Sequence, residues 1–131
     1  MAMIYKQEIN KPYEEVFSKV EEACKNNKFG VMKVYEFDKI LEEKGFPISR
    51  KIATFEICQP KYASLTLEKK PILASFMPCR IALEKLDDNT TLLSTILPNE
   101  IINLCDANDI KDIANEINNI IRKIIKEISG E

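Results

Sequence analysis

Two cysteines, each close to a proline, are the residues of this chain best suited to chemistry. Cys58 precedes the Gln59-Pro60 pair, and Cys79 directly follows Pro78. A thiolate is a nucleophile, a redox group and a ligand for soft metals. The chain contains no histidine, which excludes the Ser-His-Asp and Cys-His arrangements that need an imidazole base. The side chains that remain as candidates for catalysis or ligand binding are therefore those with sulfur, the carboxylates and the lysines.

The two cysteines lie at the ends of predicted strands, one closing a strand over 51–58 and the other opening a strand over 79–86. Strand ends of one sheet gather at an edge, so the two thiols can face a common cleft. Arg80 would lower the pKa of the neighbouring Cys79 by stabilising the anion, which would give a nucleophile, a persulfide carrier or a redox pair. Glu56 shares a strand face with Cys58 and can act as a general base or orient a ligand. We therefore take Cys58, Cys79, Glu56 and Arg80 as candidate ligand-binding residues, and we assign no catalytic residue.

Strand alternation argues against a shared cleft. Successive strand residues point to opposite faces, so Cys58 and Glu56 should point away from the face of Phe55. Cys79 is in phase with the apolar Ile81, and the two thiols meet only if the prolines break the alternation. The alternative hypothesis is that both cysteines are small buried thiols that fill prolyl turns. Arg80 and Glu56 are then a surface ion pair and an exposed strand residue, respectively.

Metal binding is a weaker interpretation. Zinc requires four ligands, typically two close pairs of Cys or His, and the chain has neither a Cys-x-x-Cys pair nor a histidine. A copper(I) ion can accept Cys58, Cys79 and the thioether of Met77, because soft sulfur suits it. The sequence assigns no metal ligand set, and it leaves the cofactor unknown.

Three further residues near these motifs have structural interpretations. Cys24 falls on the apolar face of the first predicted helix and is expected in the core. Cys105 lies between two predicted helices and is interpreted as incidental. Tyr62 either closes a pocket over the Cys58 turn or packs in the core.

Composition and charge exclude several classes of partner. The chain has 131 residues, 45% of them hydrophobic and 31% charged, which is ordinary for one globular domain spanning 1–131. Its net charge of −2 predicts no attraction to nucleic acid or to an anionic membrane. The N-terminus lacks a signal segment, and no apolar run reaches the roughly 18 residues of a membrane helix. We therefore expect a cytoplasmic protein with reduced cysteines.

The periodicity of apolar residues and the capping signals predict the elements of the chain. Asn10 is the expected cap of the first helix, with Pro12 just inside it. Tyr62, Leu65 and Thr66 are expected to turn inward from a helix that Pro60 begins. The predicted strands are 3–9, 29–37, 51–58, 79–86 and 91–97, and the predicted helices are 10–27, 38–44, 60–70, 98–104 and 107–128.

These elements predict an α+β fold, a two-layer sandwich. We expect an antiparallel-rich sheet of about five strands, with the first helix and the long C-terminal helix packed on one face. The isoleucines of the last helix form a stripe too wide for a helix with one solvated face. The stripe either packs across the whole sheet or partly meets another subunit. Since the other sheet face stays uncovered, we expect a homodimer.

Motifs along the whole chain resemble one family. They are PYEE at 12–15, FGV at 29–31, ICQP at 57–60, MPCR at 77–80 and the acidic hairpin turn at 87–88. In order and spacing this pattern resembles the domain of unknown function 302. The resemblance implies a small α+β protein whose activity is not established. That family usually has asparagine where this chain has glutamine within the ICQP motif.

Two hypotheses about function follow. The first is a small cytoplasmic protein that binds a small ligand, or handles sulfur, through Cys58 and Cys79. The alternative is a non-catalytic homodimeric interaction module whose cysteines are structural. Whether the chain is an enzyme stays open.

Overall fold

The computed structural model describes residues 3–130, which alternate between strands and helices. The strands are β1 (Ile4–Ile9), β2 (Gly30–Glu36), β3 (Ile52–Cys58), β4 (Cys79–Asp87) and β5 (Thr90–Ile96). The helices are α1 (Tyr13–Asn26), α2 (Phe37–Glu43), α3 (Pro60–Lys69), α4 (Pro98–Cys105) and α5 (Lys111–Ser129), with 3-10 turns at Pro71–Phe76 and Asn108–Ile110.

The five strands form one sheet in the order β1-β5-β4-β3-β2, and every neighbouring pair is antiparallel. The tight turn between β4 and β5 makes a hairpin, as the acidic turn residues predicted. In the next pairing, β3 lies against β4 with Ile57 opposite Cys79. The predicted α+β class, with about five mostly antiparallel strands, is confirmed.

One face of the sheet carries the main core because apolar residues recur there at every second position. The rings of Phe17 on α1 and Phe55 on β3 lie 4.9 Å apart in a tilted arrangement, a favourable geometry for an aromatic pair. Helices α1 and α5 cover this face together. The sheet residues below them include Phe55, Ile57, Ile81, Leu83 and Leu93, all fully or almost fully buried.

The isoleucine stripe of α5 is accommodated within one chain. Ile121, Ile124 and Ile128 are 0% exposed and belong to the main core. Nearer the start of the helix, Ile113 packs on a second apolar cluster, formed by Leu73, Ile102, Ala107, Ile110 and Ala114. The stripe therefore packs on the sheet only in its C-terminal part, and its N-terminal part packs on the second cluster instead of crossing the whole sheet. Contact of the stripe with another subunit stays a prediction.

Several predicted helix boundaries are wrong by a few residues. Asn10 does not cap α1; Pro12 occupies the N-cap position, and no side chain bonds the first turn. Helix α5 begins at Lys111 rather than 107, because Asp106 adopts a left-handed conformation and a 3-10 turn follows it. Leu65 on α3 is 42% exposed instead of inward, whereas its neighbour Thr66 is buried as predicted.

Replacing Ile121 by alanine should destabilise the fold strongly. Removing a fully buried isoleucine side chain costs about 2–5 kcal/mol of unfolding free energy, because the cavity left behind relaxes only partly. Urea denaturation monitored by circular dichroism measures this loss. The matched control is Ile72→Ala, since Ile72 is 75% exposed and its truncation should stay within about 0.5 kcal/mol. Equal losses for the two variants would contradict the packing of α5 on the sheet.

Candidate functional site

A cavity of about 80 Å³ lies where β3 ends and β4 begins. Helices α3, α4 and α5 and the 3-10 turn at Pro71–Phe76 form its other walls, and the lining is predominantly hydrocarbon. Among the lining residues are Cys58, Met77 and Cys79, the three sulfur-bearing residues of the cysteine-proline motifs.

The chain turns from strand to helix immediately after Cys58. The side-chain oxygen Oε1 of Gln59 accepts a hydrogen bond from the backbone N–H of Tyr62 at 2.9 Å, so Gln59 caps α3. Pro60 then occupies the first helical position, where its missing N–H costs nothing. Gln59 is therefore a helix cap, and it fixes the start of α3 directly after Cys58 at the cavity wall.

Cys79 reaches the same cavity from the neighbouring strand. It opens β4 directly opposite Ile57, so Cys58 is the next residue along the paired strand. Alternation along the strands predicted opposite orientations for the two thiols. Both line the cavity nonetheless, because each lies at a strand end, where the cavity extends past the edge of the sheet.

Burial keeps both thiols protonated at neutral pH. The pKa of Cys79 is raised to about 11, chiefly by burial and to a smaller extent by the nearby Cys58. Arg80 acts in the opposite direction, as predicted, but its effect is the smallest of the three and the net pKa is raised. Burial likewise raises the pKa of Cys58. The site therefore lacks the activated thiolate that Arg80 was expected to create.

Glu56 and Arg80 lie away from the cavity, on the open face of the sheet. Arg80 Nη2 lies 3.3 Å from Glu56 Oε2, and Tyr35 donates its hydroxyl to Glu56 Oε1 at 3.2 Å. Arg80 Nη1 also donates to the carbonyl oxygen of Pro78 at 3.4 Å. These two candidates thus form a cross-strand ion pair and are not brought together with the two thiols in the cavity.

The remaining walls come from residues that the sequence analysis did not connect to the cysteines. Ile101 and Ile102 on α4 and Ile117 on α5 close the side facing the helices. The spacing of these isoleucines in the sequence predicted apolar helix faces. No local sequence signal indicated that these helices approach the end of β3. Tyr62 lines the cavity, as one of its two interpretations predicted, and its hydroxyl bonds Glu116 on α5, which raises the tyrosine pKa.

The other two cysteines lie outside this cavity. Cys24 is fully buried in the main core, as predicted, and burial raises its pKa to about 12. Cys105 is the last residue of α4 and packs partly buried against the second apolar cluster. All four cysteines are free thiols.

A wider groove of about 310 Å³ crosses the open face of the sheet next to the cavity. Small side chains line it, those of Thr54, Ala82 and Ser94, which are neighbours in register on β3, β4 and β5. Cys79 lines both the groove and the cavity. The strand end at Cys79 therefore lies between a predominantly apolar cavity and a groove with a more polar lining.

Two classes of feature are absent from the described part of the chain. Within residues 3–130, no three His, Cys, Asp or Glu side chains come together as a metal-binding group. No helix in this part is long and apolar enough to cross a membrane.

Comparisons with known proteins identify the family. The model of the domain of unknown function DUF302 matches residues 5–128. The crystal structure of an uncharacterized conserved protein DUF302 from Bacillus stearothermophilus is similar with a TM-score of 0.88 and 22% sequence identity, over 98% of this chain and 99% of that chain. At this identity the likeness concerns the fold alone. No curated protein matches the chain at a significant level. Because the family model matches nearly the whole chain, the chain belongs to the DUF302 family.

Proposed function

We propose that this protein binds a small ligand in the cavity at Cys58 and Cys79 and that it does not act through a thiolate nucleophile. The observation that carries the proposal is that two thiols from different motifs line one apolar cavity. The ligand that suits this enclosure is small and weakly hydrated, because the lining has few groups to replace lost water.

The cavity leaves predominantly apolar side chains in contact with solvent. A ligand that fills the space removes this apolar surface from water, which supplies a driving force for binding.

The raised pKa values argue against a nucleophile or sulfur carrier at neutral pH. Such a role needs a substantial fraction of thiolate, and low-pKa cysteines lie in electropositive, partly exposed surroundings. Here burial outweighs the charge of Arg80 at Cys79. A role in direct contact with a bound ligand fits this environment better than a nucleophilic role.

The proposal includes a cytoplasmic location. Four free cysteines, two of them in the ligand cavity, fit a compartment that keeps thiols reduced. In an oxidising compartment the cavity thiols would be exposed to modification, and the ligand contacts would change.

A homodimer through the open sheet face is a second proposal. Ile96 borders the groove and is 42% exposed, while Thr54, Ala82 and Ser94 leave a depression beside it. A two-fold interface pairs one surface with itself and therefore needs a protrusion and a depression on the same face. The isoleucines of α5 give this dimer no support, because they pack, fully or partly buried, against the two apolar clusters of one chain.

Xenon or benzene should enter the cavity and shift the methyl NMR signals of Leu73, Ile102 and Ile117. Leu93, in the main core, should not respond. Filling the cavity with Ala63→Leu should weaken binding at least about tenfold, because the bulkier side chain occupies the ligand volume. Ser64→Leu is the matched control, since Ser64 is the exposed neighbour on the same helix.

Bound probe should also slow alkylation of Cys58 while leaving Cys105 unaffected. If neither probe shifts the cavity signals, or if Leu93 responds equally, the cavity is not a ligand site and the proposed function is wrong.

Alkylation of Cys79 should show a pH midpoint near 11. Since each pKa unit changes the thiolate fraction tenfold, the reaction at neutral pH should run about 100-fold slower than that of N-acetylcysteine in the same vessel. Peptide mass spectrometry after timed iodoacetamide exposure measures the rate. The raised pKa also means that Cys79 adds stability below about pH 9, and that this contribution disappears as the pH rises towards about 11. A midpoint at or below pH 9 would restore the nucleophile hypothesis.

Light scattering at micromolar concentration should give twice the chain mass of 15.1 kDa. Ile96→Lys should yield the single-chain mass, because it places a charge in the apolar part of the interface. Leu104→Lys is the control, since Leu104 is 58% exposed on α4 and should leave the dimer intact. A single-chain mass for the unmodified protein contradicts the dimer.

A further inference from the structure

Three sulfur-bearing residues, one methionine and two cysteines, line a single cavity. Met77 precedes Pro78 at the end of the 3-10 turn, and Cys79 follows two positions later at the start of β4. Cys58 comes from β3, one residue beyond the partner of Cys79 in the strand pairing. All three residues line the cavity of about 80 Å³, so the antiparallel register, rather than sequence proximity, completes the set.

The type and number of ligands that these three residues offer determine which metal ion can bind to them. Hard cations such as Mg²⁺ and Ca²⁺ require oxygen ligands, and the only acidic residue among the four site candidates, Glu56, is held by Arg80 on the other face of the sheet. Zinc requires four ligands in a structural site. A soft monovalent ion accepts thiolates and thioethers and suits a site of low ligand number.

We propose that Cys58, Met77 and Cys79 bind one Cu(I) ion in the cavity, through two thiolates and one thioether. The inference rests on the proposed function, since it names the class of ligand that the same cavity takes. Cysteine, histidine and carboxylate side chains alone form no metal group within residues 3–130. The thioether of Met77 is the third ligand that completes the set.

Binding requires no redox partner. Each thiol gives its proton to solvent as its sulfur bonds the metal, and copper remains in the +1 state throughout. The two thiolates and the ion together carry one negative charge. Arg80, adjacent to Cys79 in sequence, is paired with Glu56 on the open face of the sheet and does not line the cavity.

The apolar lining also explains why such a site would hold a reduced ion. Cu(II) prefers nitrogen and oxygen ligands in a tetragonal arrangement, and none of the sulfur positions supplies them. Helices α3, α4 and α5 contribute predominantly hydrocarbon to the lining of the site. The arrangement therefore favours Cu(I) over its oxidised form.

The test is an anaerobic titration of the reduced, full-length protein with Cu(I) in competition with the chromophoric chelator bathocuproine disulfonate. We expect one ion per chain. Cys58→Ser and Cys79→Ser should each weaken binding by at least about 100-fold and Met77→Leu by about tenfold, because each removes one ligand of a three-ligand set. Cys105→Ser is the matched control and should leave the affinity unchanged, since Cys105 lies outside the cavity.

X-ray absorption at the copper edge keeps the test independent of whether the variants fold. The unmodified protein should show a first shell of three sulfur atoms. A shell containing nitrogen or oxygen, chelator competition that removes all copper, or equal loss of affinity in Cys105→Ser would each overturn the proposal.

The xenon experiment separates this inference from the proposed function. Failure of Cu(I) binding while xenon still shifts the cavity signals would remove copper as the ligand and leave the cavity as a ligand site. Failure of xenon binding together with a missing sulfur shell would remove both.

Discussion

The antiparallel pairing of β3 with β4 is the constraint on which the rest of this structure depends. It sets Ile57 opposite Cys79 and thereby brings two turns, distant in sequence, to the same end of the sheet. The same pairing turns Phe55 and Ile81 towards α1 and α5, where burial of hydrocarbon stabilises the fold. A shift of one residue would exchange the two faces of a strand. The register of this strand pairing therefore determines both which side chains form the core and which residues meet at the cavity.

The cavity and the main core use apolar surface differently. In the core, Ile121 and Ile124 interlock with the sheet and are fully buried. At the end of the sheet, α3 and α4 bridge over the strand ends, and the space below them is left partly empty. Unfilled volume lowers the stability of the fold. The cavity also differs from the core in its chemistry, because two cysteines and a methionine line it. Desolvation in this space explains the neutral thiols, and it also explains why a ligand that bonds sulfur directly would be favoured there.

The charged candidate residues lie on the open face of the sheet, away from the core face. Arg80 and Glu56 satisfy each other across β4 and β3 on the open face, with Tyr35 as a further donor. Their charges stay in contact with water, which keeps the ion pair weak. Cys79 is the one candidate residue that lines both the groove on the open face and the cavity.

Much of the fold could be predicted from the sequence because it depends on local patterns. Period-two alternation placed β3, the helical spacing of isoleucines placed α5, and the acidic turn placed the hairpin, all within a few residues. Boundaries failed where backbone conformation overrode the pattern, as at Asp106 before the 3-10 turn. For the site, the sequence by itself determined the chemistry, namely sulfur without histidine, and the two motifs that carry it. Only the tertiary structure decided that Cys58 and Cys79 share a cavity and that Glu56 and Arg80 do not join them. The physical reason is that alternation governs side chains within a ladder, whereas burial at a strand end depends on which distant helices close over it.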